Sequence, residues 1–413
     1  MRLNLICILS VLSLSCTLYS CKKDDQRITP VPTPVTDSTR TGSININLST
    51  SRPDEEIIIT ETGGKVLLDT MSPYPNALVA TLKTNQTLVD YSLVYYDTVN
   101  TKYVINTCKG VNPSKWLSVD AQFYGVVYPA RTSIPANVVY KNVPSVSLAS
   151  IWLIDYVGNS ADGYSYPPGY IVVNFSRASP SDYVYLLLGA VGLYNFHIPQ
   201  GVNDTVDLSH MDTAVTLNFN LPPTFTVQST SLNGIIDTTD LSKSLWLFLY
   251  LPGLQTWNLE YPRKLVQEME LLVNASNSTN GYATYYSYGN TISPNLPLLD
   301  QSAYTLSSTQ FNNFAERFTT VHPSYYYTDW HGGNIVYQLY ASPDSTNLNP
   351  QALLTSLNSK ILRGQALSGL SLSSFYFENA TGLDYADFFS YEHNPAQLKS
   401  QRVSSSVMFT QNF

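Results

Sequence analysis

Short β-type runs follow one another along almost all of the chain from residue 43 onward. Residues 43–48 alternate polar and apolar side chains, which is the period of a half-buried strand. Residues 56–60 and 65–69 are two apolar runs separated by a turn that contains Gly63 and Gly64, and together they predict a hairpin. The sequence therefore predicts a mainly all-β protein, built from tandem immunoglobulin-like or other β-sandwich domains.

The same β-branched and aromatic pattern recurs in segments bounded by Pro and Gly. These segments are residues 77–82, 88–96, 102–107, 170–175, 183–194, 214–219, 245–251, 335–340, 374–377 and 403–409. For residues 264–274 a helix is also possible, but the alternation of Glu268 and Glu270 with Met269 and Leu271 favours a strand.

A few short helices are predicted in the C-terminal part. Phe311, Phe314 and Phe318 have helical spacing, with Ser308 as a possible cap. Pro350 after Asn349 is typical of a helix start, and an apolar face of leucines follows it.

Composition narrows the function classes. The formal net charge is −8 and only 13% of the residues are charged. A chain of this kind lacks the basic face that phosphate contacts require, so we predict no nucleic-acid partner. A hydrophobic content of 44% excludes disorder for most of the chain. Tyrosine, with 31 residues, is the unusually abundant residue type.

The N-terminal segment is typical of an export signal. Arg2 precedes a short apolar stretch that ends at Ser20, followed by Cys21. The sequence Leu18-Tyr19-Ser20-Cys21 resembles the lipobox of bacterial lipoproteins, which implies cleavage before Cys21 and a diacylglycerol on its thiol. An uncleaved anchor helix is the alternative, although the stretch is short for one.

The residues after Cys21 bear on localisation. Lys22-Lys23-Asp24-Asp25 resembles the surface-export signal of Bacteroidota-type lipoproteins, and a solvated charge run beside the membrane is the alternative. The resemblance implies a protein anchored in the outer membrane through its lipid and facing the cell exterior. It covers only about the first 26 residues and carries no information on activity.

Cysteine use and composition predict the domain order. Only Cys108 remains in the body of the chain, so no internal disulfide is expected, and a buried inert thiol is expected there. We predict a signal peptide (1–20), a Pro/Thr-rich tether (21–42), a small immunoglobulin-like sandwich (43–118), a second sandwich (119–274) and a mainly β C-terminal domain with Tyr-rich loops (275–413).

A search of the sequence for catalytic and metal-binding motifs gives little evidence of either kind of site. The nucleophile-elbow, phosphate-loop, dinucleotide and zinc-protease patterns are all missing from the sequence. Glu268 with Glu270 is one possible acid pair and Asp384 with Asp387 is another, while exposed solvating acids are the alternative. Two oxygen-rich segments, Asp155 to Asp162 and Asp204 to Asp212, do not match a calcium loop. We therefore predict no catalytic residue, no metal and no cofactor.

The Tyr-rich segments are the strongest positive feature. Consecutive tyrosines on a strand cannot all face one core, so some must be exposed or lie against another domain. Exposed aromatic rings with few charges suit stacking on sugar rings, whereas cross-strand and interdomain packing is the alternative. The predicted ligand-binding residues are Tyr285, Tyr286, Tyr288, Tyr325, Tyr327, Asp329, Trp330 and His331.

The leading functional prediction is a non-enzymatic, lipid-anchored surface protein that binds an extracellular glycan or similar polymer. This prediction is an analogy of architecture with surface glycan-binding lipoproteins, because no motif in the body of the chain is shared. A structural or adhesive lipoprotein with no small ligand is the alternative, and a hydrolase is a further one. Protein partners are not predictable from the sequence.

Overall fold

The computed structural model describes residues 42–48, 50, 52–115, 134–146, 151–154, 163–167, 169–177, 179–189, 191–238, 244–250, 256–382, 384–385 and 404–413. Within these ranges the chain forms twenty-seven strands and one α-helix. The predicted all-β class is therefore confirmed. The signal peptide, the tether up to residue 41, Cys21, Asp155, Asp162 and Asp387 lie outside the described residues.

The elements have the following bounds in chain order. They are β1 (Ser43–Leu48), β2 (Glu55–Glu61), β3 (Val66–Met71), β4 (Leu78–Lys83), β5 (Val89–Asp97), β6 (Lys102–Val111), β7 (Ile134–Lys141), β8 (Ile151–Ile154), β9 (Gly163–Ser165), β10 (Tyr170–Arg177), β11 (Val184–Leu188), β12 (Leu193–His197), β13 (Asn203–Asp207), β14 (Asp212–Thr213), β15 (Val215–Asn220), β16 (Phe225–Ile235), β17 (Ser244–Tyr250), β18 (Thr256–Tyr261), β19 (Glu268–Asn277), β20 (Gly281–Gly289), β21 (Tyr304–Gln310), β22 (Asn313–Phe318), β23 (Tyr325–Gly332), β24 (Ile335–Ala341), β25 (Asn347–Leu348), α1 (Pro350–Ser356), β26 (Ser371–Ala380) and β27 (Ser405–Asn412).

A twelve-stranded sheet organises the fold. Its strand order is β17-β16-β19-β20-β27-β26-β23-β24-β6-β5-β2-β3. Neighbouring strands are antiparallel except β24 and β6, which run parallel. The C-terminal strand β27 is inserted between β20 and β26. Strands from all three predicted body ranges thus share this sheet, and the boundary predicted after residue 274 falls inside β19.

One face of the large sheet, the inner face, is apolar. It contains four fully buried aromatic side chains, which are Phe375, Phe377, Phe409 and Trp330. The layers that cover this face are the β15–β18 ribbon, the three-stranded β21-β22-β25 sheet and α1. Burial of these large aromatic groups is the main stabilising contribution of this core.

Two four-stranded sheets form a sandwich in the middle of the chain. Their orders are β13-β7-β10-β9 and β14-β12-β11-β8. Val184, Leu186 and Leu188 of β11 point into the sandwich, whereas Tyr185 and Leu187 of the same strand join the main core. Both faces of β11 are therefore buried, which explains its continuous apolar sequence.

Among the described residues, a second layer covers one end of the opposite face of the large sheet. The β1–β4 ribbon packs Ile46, Leu48 and Leu82 onto Ile57 and Ile59 of β2. Cys108, at 8% exposure, belongs to this second core, as expected for an inert thiol.

Local predictions have mixed outcomes. The hairpin of residues 56–69 and the strand at 264–274 are confirmed as β2–β3 and β19. Helix α1 is also confirmed, with the Asn349 side chain accepting from the amide of Ala352.

The helix predicted from Phe311, Phe314 and Phe318 is wrong. These residues lie in the β21–β22 hairpin, with Phe311 in the turn and Ser308 in β21. A spacing of four places two residues on one face of a strand as well as of a helix, so the pattern did not distinguish a strand from a helix.

None of the described helices has the length and apolar character needed to span a membrane.

Candidate functional site

Eight neighbouring strands of the large sheet present a polar and aromatic face opposite the main core. In sheet order they are β17, β16, β19, β20, β27, β26, β23 and β24. We call this face the outer face. Side chains alternate across each strand, so the residues between the buried core positions belong to it. Its principal members are Trp246, Asn233, Glu268, Glu270, Tyr282, Tyr286, Tyr288, Glu378, Tyr376, Tyr325, Tyr327, Asp329, His331 and Tyr340.

Trp246 begins a row of side chains in register across four strands. Asn233 pairs with Trp246 on one side and with Glu270 on the other, and Glu270 pairs with Tyr288. The three strand spacings place the ends of this row about 14 Å apart. Trp246 is 47% exposed, although Leu245 and Leu247 on either side of it are fully buried. The row thus combines an accessible indole with amide, carboxylate and phenol groups.

The two carboxylates of β19 are held by tyrosines of β20. Tyr286 Oη donates to Glu270 Oε1 at 3.0 Å, and Asn233 Nδ2 donates to Glu270 Oε2 at 3.1 Å. Tyr288 Oη donates to Glu268 Oε2. Charge-assisted hydrogen bonds of this kind fix the position of a side chain that would otherwise be mobile. The acid pair of the sequence is therefore oriented on the same face as Trp246.

A third carboxylate–tyrosine cluster lies on β23 and β26. Tyr325 Oη and Tyr376 Oη donate to Glu378 Oε2 at 2.7 and 3.0 Å. Burial, together with the nearby negative charge of Glu378, raises the pKa of both phenols. Both tyrosines therefore remain protonated donors throughout the neutral and mildly alkaline range.

Three tyrosines form a ladder beside this cluster. The rings of Tyr327 and Tyr376 stack with centroids 4.7 Å apart, and those of Tyr327 and Tyr340 are 4.9 Å apart. All three rings are partly buried and pack against the second core, which includes Tyr325, Tyr385 and Cys108. The ladder supports the sheet by cross-strand packing, which is the alternative that the sequence left open.

Asp329 and His331 form the last polar group of this face. His331 Nε2 lies 3.0 Å from Asp329 Oδ2, while Asp329 Oδ1 is buried and has no hydrogen-bond partner among the described residues. Burial raises the pKa of Asp329, and the interaction with His331 opposes that rise. In the sheet register, Ser374 of β26 lies opposite Asp329, and Ser371 lies opposite His331.

The predicted ligand-binding residues separate into three groups. Trp330 and Tyr285 point to the inner face, with 0% and 5% of their surfaces exposed, so their rings cannot stack on a ligand. Tyr325 belongs to the outer face but is 5% exposed. The remaining five residues lie partly exposed on the outer face, and these are Tyr286, Tyr288, Tyr327, Asp329 and His331.

Trp330 was predicted to be exposed because it follows a tyrosine run in a segment that resembles a loop. The segment is instead strand β23, and strand alternation directs Trp330 into the core against Phe311 and Phe314. Trp246, which sequence reasoning missed, lies within residues 245–251, which were predicted to form a strand without a binding residue. Its position between two inward-facing leucines was the available signal.

Other regions offer fewer candidate binding groups than the outer face. Asp204, Asp207 and Asp212 interact with His197, Asn142 and Lys264, respectively, and do not converge. Within the described ranges, no group of three His, Cys, Asp or Glu residues is placed to hold a metal ion.

A groove of about 600 Å³ lies beside the β21–β22 turn. It is lined by polar and apolar side chains of the β21–β22 and α1 region and by Phe413. None of the described side chains that line it is acidic or basic.

Comparison with known proteins found no matching family model, no matching curated protein and no matching solved structure.

Proposed function

We propose that this protein is a lipid-anchored cell-surface protein that binds an extracellular glycan through the outer face of its large sheet, without catalysing a reaction. The observation that carries the proposal is the row of Trp246, Asn233, Glu270 and Tyr288. An exposed aromatic ring with fixed polar groups beside it is the usual composition of a sugar-binding surface.

The groups of this row have complementary tasks. The indole of Trp246 supplies an apolar surface on which the face of a sugar ring can stack. The carboxylate of Glu270, to which Asn233 Nδ2 donates, lies beside it and can hydrogen-bond the sugar hydroxyl groups. Because Tyr286 and Asn233 already orient Glu270, less side-chain entropy is lost when a ligand binds.

The N-terminal sequence supports the location. Cys21 follows a lipobox-like Leu18-Tyr19-Ser20, and the acidic residues after it resemble a surface-export signal. In this proposal the lipid on Cys21 holds the protein in the outer membrane, and the Pro/Thr-rich segment to residue 42 carries the body away from it. A polymer outside the cell would then be within reach of the outer face.

The test is a glycan-array screen with the purified full chain in detergent, followed by titration of the best ligand. We expect binding to one polysaccharide class, and Trp246→Ala should weaken it by at least about tenfold. Tyr170→Ala is the matched control, because Tyr170 is 41% exposed on β10 of the sandwich and should not affect binding.

Three results would count against the proposal. A blank array with folded protein would favour a structural or adhesive surface protein. Equal losses in Trp246→Ala and Tyr170→Ala would remove the binding surface from the outer face. Release of new reducing ends from a bound polysaccharide, lost in Glu268→Gln and Glu270→Gln, would instead assign a hydrolase to the acid pair.

A further inference from the structure

The eight neighbouring strands that form the outer face have an unusual charge distribution. In sheet order these strands are β17, β16, β19, β20, β27, β26, β23 and β24, and they contain four carboxylates, Glu268, Glu270, Glu378 and Asp329, and neither lysine nor arginine. Lys102 of the adjacent strand β6 is a positive charge that acts on Asp329 from the edge of this face. The four acids all lie on the outer face. Because carboxylates that share one face add their potentials, the outer face attracts cations and repels anions.

The hydrogen-bonding groups of the face have the same bias. Ionised carboxylates only accept, and each can accept about four hydrogen bonds. The protons of Tyr286, Tyr288 and Tyr376 are directed to Glu270, Glu268 and Glu378. A large share of the polar groups on this face therefore accepts hydrogen bonds, and a complementary ligand must be rich in donors.

We infer that the outer face selects electroneutral glycans and rejects those that carry carboxylate or sulfate groups. This inference rests on the proposed function. Neutral sugar units carry several hydroxyl donors each, which match the carboxylates, whereas uronate and sulfate groups are acceptors that would face Glu268 and Glu270 at short range. The same acids that orient the ligand thus exclude the charged polymers of similar backbone.

The inference can be tested with polysaccharide pairs that share a backbone. Suitable pairs are hydroxyethyl cellulose with carboxymethyl cellulose, dextran with dextran sulfate, and pullulan with carboxymethyl pullulan, titrated against the full chain at low salt. For any backbone that binds, the neutral member should bind at least about tenfold more tightly. The preference should shrink as salt screens the charges.

A charge-removing variant sharpens the test. Replacing Glu268 and Glu270 together by Gln keeps the shape of the site and removes two negative charges. The anionic member of the pair should then gain at least about threefold in affinity relative to the unchanged protein. The paired control is Asp69→Asn on the edge strand β3, outside the outer face, which should leave the preference unchanged.

The outcomes are distinguishable. If the anionic member binds as tightly as the neutral member, the inference is overturned and the proposed glycan function stands. If no glycan of either charge binds on the array or in these pairs, the proposed function fails and the inference fails with it. If the neutral preference is unchanged in the Glu268→Gln and Glu270→Gln double variant, the carboxylates of β19 do not cause it.

Discussion

The two faces of the large sheet use the same residue types for different purposes. On the inner face, Tyr326, Trp330 and Phe375 are fully buried and pack edge to face or tilted against Phe314. On the outer face, Tyr327 and His331 of the same strand as Trp330 remain partly exposed. The difference indicates that tyrosine abundance alone does not mark a binding surface, and that strand parity decides which ring is available.

The carboxylates differ between the two sides as well. On the outer face, Glu268, Glu270 and Glu378 accept from tyrosine hydroxyl groups, and Asp329 interacts with His331. Among the buried acids of the inner side, Glu56 accepts three hydrogen bonds, whereas Glu316 lies near the Tyr326 hydroxyl with both of its carboxylate oxygens buried. Inner-side changes should therefore affect stability, and outer-face changes should affect binding.

The largest expected effect on the free energy of unfolding comes from replacing one aromatic residue on each face by Ala in separate variants. Trp330→Ala should lower the free energy of unfolding by about 3–5 kcal/mol, because it empties a fully buried site. Tyr327→Ala should cost about 1–2 kcal/mol, since only two ring contacts and partial burial are lost. Urea denaturation measures both, and equal costs would contradict the distinction between the faces.

Glu56 should have the next largest effect. Its buried carboxylate accepts from the Ser359 hydroxyl and from the amides of Lys360 and Ile361, at 3.0 and 3.2 Å for the amides. Glu56→Ala leaves two partly buried amides and the buried Ser359 hydroxyl without their acceptor and should cost on the order of 3 kcal/mol. Asp69, an exposed residue that forms a salt bridge with Lys360, supplies the comparison. Asp69→Ala should cost less than about 1 kcal/mol in the same assay.

Glu316 should show a smaller and opposite effect. Burial raises the pKa of Glu316 from its ordinary value of 4.5 to about 7, although a hydrogen bond from the Tyr326 hydroxyl partly opposes that rise. The folded state then binds a proton that the unfolded state releases. The free energy of unfolding should consequently fall as the pH rises from about 4.5 to about 7.

Glu316→Gln removes this titration. The variant should be more stable than the unchanged protein at pH 8, by about 1–2 kcal/mol, and the difference should shrink towards pH 4. Thermal unfolding followed at both pH values is the measurement. A variant that is less stable at pH 8 would show that the carboxylate is favourably paired.

Much of the local structure was predictable because its signals are short-range. The β2–β3 hairpin has a glycine turn between two apolar runs, and α1 begins at a proline after a capping asparagine. The alternation around Glu268 and Glu270 correctly assigned both acids to one face of β19. These features depend on neighbours within a few residues.

The assembly of the large sheet was not predictable in the same way. The parallel pairing of β24 with β6 and the insertion of β27 between β20 and β26 join residues far apart in sequence. Strand pairing of this kind depends on which faces are left to bury, and an apolar run does not identify its partner. For the same reason Trp246, next to Asn233 only through sheet register, could not be recognised as part of a site.

The most direct test of the account is oxidative footprinting of exposed aromatic side chains with and without a saturating polysaccharide identified by the array. We expect protection of Trp246 and of Tyr282, which is 50% exposed on β20, while Tyr170 on the sandwich keeps its reactivity. Protection of Tyr170 with no change at Trp246 would contradict the assignment of ligand binding to the outer face.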